Sequence, residues 1–545
     1  MSAFTRDGEP RRVVPRWRDA SVAVQTGELG ALPVREPGRL AIYVSDELET
    51  HIADWEAHGT VGYAADLVSA AIALNRTEPA FDAAQYLTRH RNLAGEIAYA
   101  LATRIIGPSE PGVPSEMHEH AVRPLSQETA VTAIRESARV SVAVLRRRLR
   151  EDPRNVLAWL DLSRLYARLG LVSRATRAMR AAVSLAPDHR FILRSAGRLF
   201  LHRHEPDEAH ALLQHSRATT EDPWLLAAEI ALATVAGRLS RHIKLGRRMI
   251  ESGRFSPFQT TELASAIATV DADAGKVKIA KQLFRMAMRE PTENSVAQVQ
   301  WVARKLGLLE FETSLLAVPR SFEANAWVAS ADRRWEDVLS ATWEWLSDEP
   351  FAGRPAALGS VVAAVALNDP AQALRFVELA LVANRTSADL LNNEVFALAL
   401  DGQLDRAQLR HREIHESRLT DEDHVVYFAN SGLLAFRSGD VMRARDEYDA
   451  AVTLARRQTD RKVEGCALAY WAAEEFRQRS MEVSTPVGPV DAAPNPRLAE
   501  VDAESLASRA LEALRGAGKS VDRDLAELHL RRAVKPRVSG HPARP

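Results

Sequence analysis

Three places in the chain carry residues whose types and spacing could do chemistry. Gly516-Ala-Gly-Lys519-Ser520 ends like a phosphate-cradling loop. That chemistry needs a glycine five residues before Gly518, where Ala513 stands, and a buried strand leading into the loop, where Ser505 to Leu514 has a helical pattern instead. The expected role is a helix end and a turn. His202, His204, His210 and His215 form a dense histidine run, and His411-x-Glu413-x-His415 places two imidazoles four residues apart, a spacing able to share one metal on a helix. A metal site needs three or four converging ligands, and neither group has a carboxylate-rich or cysteine-rich companion, so both read as surface histidines. His118 and His120 fall in an expected linker. With no serine, cysteine or carboxylate constellation, the expectation is a protein without cofactor, metal or catalytic centre.

The elements that would position any other site must be repetitive, because 545 residues exceed what one hydrophobic core organises. Lys+Arg is 71 against Asp+Glu 72, so no global excess of charge points to nucleic acid or membrane, and a charged site must be local. The single cysteine, Cys466, excludes an internal disulfide and a multi-cysteine zinc site, and fits a reducing compartment. Met1 to Trp17 lacks an apolar run of signal-peptide length. The best apolar run, Ala356 to Leu367, is shorter than the roughly 18 residues a membrane helix needs. A cytoplasmic protein without a membrane partner is expected. Basic charge is nearly all arginine, as in the proteins of GC-rich, bacterial genomes.

Residues 1–40 hold Pro10, Pro15, Pro33 and Pro37 with scattered arginines and predict an extended basic arm, closed by the strand-like run Leu40 to Val44. Over 41–106 apolar residues recur at three and four (Leu48, Ile52, Trp55; Leu67, Val68, Ala71; Ile97, Leu101, Ile105), which predicts a helical N-terminal domain of about four helices. Three prolines within Gly107 to Pro114 open a linker at 107–125. Helical pattern then runs over 126–480, broken every 12 to 20 residues by Gly or Pro. A proline-rich linker at 481–497, two helices within 498–534 and a basic tail at 535–545 complete the chain.

Within 126–480 one hairpin can be written residue by residue. Trp159, Leu162 and Tyr166 line a first helix, Gly170 supplies a turn, Ala175, Met179 and Ala182 line a second helix, and Pro187 stops it. Ala209 lies 34 residues after Ala175, with Leu193, Gly197, Phe200 and Leu213 at corresponding offsets. Further copies run through Ala280-Phe284-Ala287, Ala373-Ala380, Gly402-Ala407 and Gly432-Gly439-Ala444-Tyr448-Ala451. This pattern resembles the tetratricopeptide repeat, with Ser163 and Met179 as departures from its signature. The resemblance covers 153–216 and again 356–456. It implies an all-α, right-handed α-solenoid of helical hairpins. The amphipathic stripe Trp335, Val338, Leu339, Trp343 and Leu346, with its aromatic side chains, then reads as packing.

In that family first helices line a concave groove, and the resemblance therefore selects Arg164, Arg168, Arg194, Arg198 and His202 as groove residues. Four guanidinium groups with few acidic neighbours suit a protein or peptide partner, an acidic one especially. The alternative is that they solvate an amphipathic face. Asn393 and Asn430 each follow by two a residue at the Trp-type position, Leu391 and Phe428. The resemblance implies that amides there hold the backbone of an extended ligand, whereas the first two repeats carry Asp161 and Ser195 instead. The expected function is a non-enzymatic scaffold or adaptor. The rival is a nucleic-acid-associated repeat protein using the arginines, the run Arg146-Arg147-Arg148-x-Arg150 and the basic tail through salt-sensitive phosphate contacts.

Overall fold

The computed structural model describes residues 14–18, 20–26, 28–29, 45–106, 127–307, 309–415, 419–484 and 501–534. Among them every regular element is helical. The strand-like run Leu40 to Val44, the linker 107–125 and the basic tail lie outside the described residues, and of the linker expected over 481–497 residues 481–484 are the helical end of α24 while the rest lies outside them. The chain divides into two compact units, one running from Pro10 to Ala324 and the other from Asn325 onward.

The N-terminal unit opens with α1 (Ala20–Thr26) and the helical domain expected over 41–106, which is α2 (Ser45–His58), α3 (Val61–Ala73), α4 (Phe81–Arg89) and α5 (Arg91–Ile106). The long α6 (Gln127–Glu151) leads into the hairpins. These pair α7 (Val156–Arg168) with α8 (Val172–Leu185), α9 (Arg190–His202) with α10 (Pro206–His215), α11 (Pro223–Val235) with α12 (Ile243–Glu251), and α13 (Pro257–Asp273) with α14 (Val277–Ala287), and end at α15 (Glu293–Leu306). The α7–α8 hairpin shows why the sequence folds this way. Asn155 caps α7 by accepting the Ala158 N–H at 2.9 Å. Gly170 turns the chain at φ 67°, a left-handed conformation that costs other residues a Cβ clash. Ala175, Ala178 and Ala182 let α8 approach closely. Ser163, a departure from the repeat signature, donates its hydroxyl to Ala175 O at 2.8 Å and so ties the two helices together.

The C-terminal unit repeats the scheme. Its helices are α16 (Phe322–Ala331, which starts just before the division), α17 (Trp335–Asp348), α18 (Arg354–Val361), α19 (Pro370–Ala383), α20 (Ala388–Leu400), α21 (Leu404–Arg412), α22 (Asp421–Arg437), α23 (Val441–Arg457), α24 (Arg461–Ser484), α25 (Ala503–Gly516) and α26 (Val521–Val534). Between α18 and α19 the chain makes a π-helical turn, Val362–Ala366, closed by Leu367 N donating to Val362 O at 3.1 Å. One continuous apolar core, from Ala326 to Leu530, joins these helices. The aromatic stripes belong to it: Trp343 stacks on Phe376 with ring centroids 3.8 Å apart, and Trp471 stacks on Tyr448. No helix among the described residues is long and apolar enough to cross a membrane.

Candidate functional site: concave faces filled by the chain's own segments

In the N-terminal unit the first helices α7, α9, α11 and α13 pack in succession. Their shared face curves inward so tightly that Arg194 of α9 reaches Glu262 of α13 at 2.8 Å, passing over the Trp224 ring of α11 at 4.8 Å. Beside it Arg190 grips Asp222 through two bonds of 2.6 and 2.8 Å. This changes the expectation of a basic groove. Arg194 is 2 % exposed and neutralised. The carboxylates that balance it come from helices the repeat register had not placed, tens of residues further along. Arg164, Arg168, Arg198 and His202 are half-buried. Burial, and after it the neighbouring Arg164, push the Arg168 guanidinium down to about 10.

The face is not vacant. Residues 14–18 and α1 lie across it, held first by their backbone. Asn294 donates to Val14 O at 3.0 Å, Arg164 donates to Trp17 O at 3.3 Å, and Asp161 accepts the Ala20 N–H at 3.1 Å. The side chains then anchor it. Arg16 bonds Glu323 at 3.0 Å, Arg18 bonds Glu293 at 2.7 Å and Glu28 at 2.6 Å, and Trp17 is fully buried between the two arginines in sequence. The extended arm expected over 1–40 thus includes a segment built into the solenoid. Of the groove residues named from sequence, Arg164 touches this segment. Asp161, Glu293, Asn294 and Glu323 were missed, although Asp161 sits at the position equivalent to Asn393 and Asn430.

Two carboxyls that share Arg18 titrate in opposite senses. Burial, opposed by Arg18 and reinforced by Glu293, pushes Glu28 from 4.5 up to about 7. Burial also acts to raise Glu293, but Arg18 and Arg16 together hold it below 4.5. A group raised on folding binds its proton more tightly in the seated state. The Glu28 contribution is therefore complete below 4.5 and is lost as pH rises through about 7, whereas that of Glu293 is lost only as pH falls below 4.5. Protection of residues 14–29 from hydrogen exchange, corrected for the intrinsic rate, is expected to decline between about pH 5 and pH 8 and to stay level in Glu28→Gln. An identical decline in the variant would remove Glu28 as the cause.

The C-terminal unit has its own occupant. Helix α26 lies against the first helices. Its His529 ring stacks on Tyr470 of α24 at 4.7 Å and meets Phe396 of α20 at 6.4 Å, and Asp524 pairs with Arg333 at 2.8 Å. Arg532 donates to Val365 O and, at 2.6 Å, to Ala366 O, carbonyls at the end of the π turn where the helix supplies no further donor. Burial, then Arg437 and Arg532, push His529 down to about 3, so it stays neutral.

Asn393 and Asn430 are buried, and their amides have partners of another kind than the ligand backbone expected. Asn393 Nδ2 donates to Ala357 O at 3.3 Å and Ser360 Oγ at 3.0 Å. Asn430 Nδ2 donates to Asn392 O at 3.1 Å and Oδ1 at 3.0 Å. Each stitches its first helix to the preceding one. In this arrangement both donors serve the stack.

The histidines separate. His210, expected at the surface, is buried with Nε2 2.9 Å from Glu229, whose other oxygen accepts from Ser240. His215 is exposed, and His204 sits in a turn at φ 61°. His411 is buried and stacked on Tyr427, whereas His415 lies beyond the end of α21 and is exposed, so the four-residue spacing does not put them on one helical face. No group of three or more His, Cys, Asp or Glu able to hold a metal occurs among the described residues. Gly516 ends α25, and Lys519 is exposed in the turn after it.

No family model matches the chain, and no curated protein matches it in sequence. Its helices pack as successive hairpins. Among solved structures, the yeast Tom70 crystal structure aligns over 75 % of this chain and 96 % of its own at 10 % identity, with a TM-score of 0.30. A structure of Naa15/Naa10 bound to HypK-THB aligns over 90 % of this chain and 89 % of that one at 11 % identity, with a TM-score of 0.22.

Proposed function

We propose that the protein is a non-enzymatic interaction scaffold whose first-helix faces take segments of partner proteins. One observation carries the reading. Residues 14–18 and Ala20 are held on the N-terminal unit by side chains that bond their backbone at Val14, Trp17 and Ala20, the way a surface holds an extended peptide of any sequence. Of the four arginines that the rival, nucleic-acid binding through a basic groove, would use, Arg194 is buried in an ion pair with Glu262 and Arg164 donates to Trp17 O. A photo-crosslinking residue at Arg168, half-buried on α7, is expected to capture protein in the native cell, whereas the same residue at the exposed Arg180 of α8 is not. Capture at Arg180 alone, or of nucleic acid at Arg168, would overturn the reading.

A further inference from the structure

We infer that the concave face of the N-terminal unit recognises, in a partner protein, an extended segment in which two arginines flank a large aromatic side chain, and that residues 14–18 hold that face as the chain's own copy of the segment. The inference deepens the scaffold reading and rests on it. The backbone contacts described above fix where a peptide lies but not which peptide it is. Selection comes from the three consecutive side chains Arg16, Trp17 and Arg18. Arg16 meets Glu323 at 3.0 Å and Glu293 at 3.7 Å, Arg18 meets Glu293 at 2.7 Å, and Trp17 between them is fully buried.

The charges of the face fit such an occupant and not an acidic one. Glu262 and Asp222 already have Arg194 and Arg190. Glu293 and Glu323, with side chains 8 % and 3 % exposed, are met by the guanidinium groups of residues 16 and 18. An emptied face would leave these carboxylates buried without those cations, which is far costlier than exchanging one arginine-bearing segment for another. Displacement by a like segment is therefore favoured over vacancy. The chain's own copy carries one addition, Glu28, which shares Arg18 with Glu293. Residues 30–44 join this copy to α2 and so set its effective concentration at the face.

The test uses the full chain with a protease recognition sequence inserted within residues 30–44, so that cutting turns the arm into a separate, exchangeable ligand. A fluorescent peptide of residues 12–29 is expected to exchange into the cut chain and to bind the uncut chain far more weakly. The same peptide with Arg16→Glu and Arg18→Glu should bind the cut chain at least about 30-fold more weakly, as expected for losing a buried charge pair. Failure of the native peptide to exchange, or equal binding of both peptides, would overturn the inference. Should the cut chain lose its helical circular dichroism, the uncut Arg16→Ala, Arg18→Ala chain gives the same measurement: it should gain binding of the native peptide, and no gain counts against the inference. Crosslinked partners at residue 168 without peptide selectivity would leave the scaffold reading standing and remove this one.

Discussion

Arg190→Ala is expected to raise the local opening of α9 and α11 by roughly 10²–10⁴-fold, a loss of about 3–5 kcal/mol. Asp222, 1 % exposed, spends its carboxylate on two bonds from Arg190 and on capping α11 through the Trp224 N–H at 2.8 Å. Removing the arginine leaves an ionised carboxylate in the interior with one backbone donor. It also strips a cation from the face of Trp224, where the guanidinium lies 5.1 Å from the ring centroid. Lysine at 190 would restore charge but not the two-pronged geometry, and should recover only part of the loss. Replacing both partners, as Arg190→Met with Asp222→Asn, keeps a capping side chain, buries no charge, and should recover most of it. Because the chain folds as two compact units, one unfolding free energy for the whole is poorly defined. Hydrogen exchange over 190–235 is the measurement. Equal protection in Arg190→Ala and wild type would show that the pair contributes nothing to the stack.

That pair also shows what the sequence made legible. The hairpins were readable because their logic is local: Gly170 must turn, Ala175 and Ala182 must be small, and both constraints act within one 34-residue period. The arginines' surroundings were not readable in this way. Arg194 finds its carboxylate 68 residues later, on a helix outside the clear repeats, and the curvature that brings α13 over α11 is a property of the stack. A count of acidic neighbours along α7 and α9 therefore missed the carboxylate that Arg194 meets. The asparagines were placed at equivalent positions but given the wrong direction. The position two residues after the Trp-type site points toward the preceding first helix, so in the C-terminal unit its amide meets Ala357 O or Asn392 O. In the first hairpin of the N-terminal unit the equivalent Asp161 meets the start of α1 instead. The arm's role was hidden for a further reason. Of the carboxylates that meet Arg16 and Arg18 only Glu28 lies within 1–40, whereas Glu293 and Glu323 stand 275 and 307 residues further along the chain.

Gly432→Ala is expected to destabilise the C-terminal unit by about 2–3 kcal/mol, the upper part of what overpacking costs, even though alanine is worth about 1 kcal/mol more than glycine inside a helix. A Cβ at 432 would stand 2.5 and 2.8 Å from two ring carbons of Tyr448 and 3.0 Å from the Ala444 carbonyl oxygen. Neither obstacle can retreat. The carbonyl belongs to α23, and the Tyr448 ring is fully buried, stacked on Trp471 and tilted against Phe436. Gly197 supplies the contrast on α9, since a Cβ there meets only the methyl ends of Leu232 at 3.1 Å and Leu213 at 3.5 Å. Those ends can shift by a few tenths of an ångström, so Gly197→Ala should be nearly neutral, the helical gain offsetting the crowding. Hydrogen exchange in α22 and α23 for the first variant, and in α9 and α10 for the second, separates the two cases. Comparable losses in both would mean that close packing of helix pairs, and not the rigidity of the particular neighbour, sets the cost. A smaller loss in Gly432→Ala combined with Tyr448→Leu than the sum of the single changes would locate the clash at the ring.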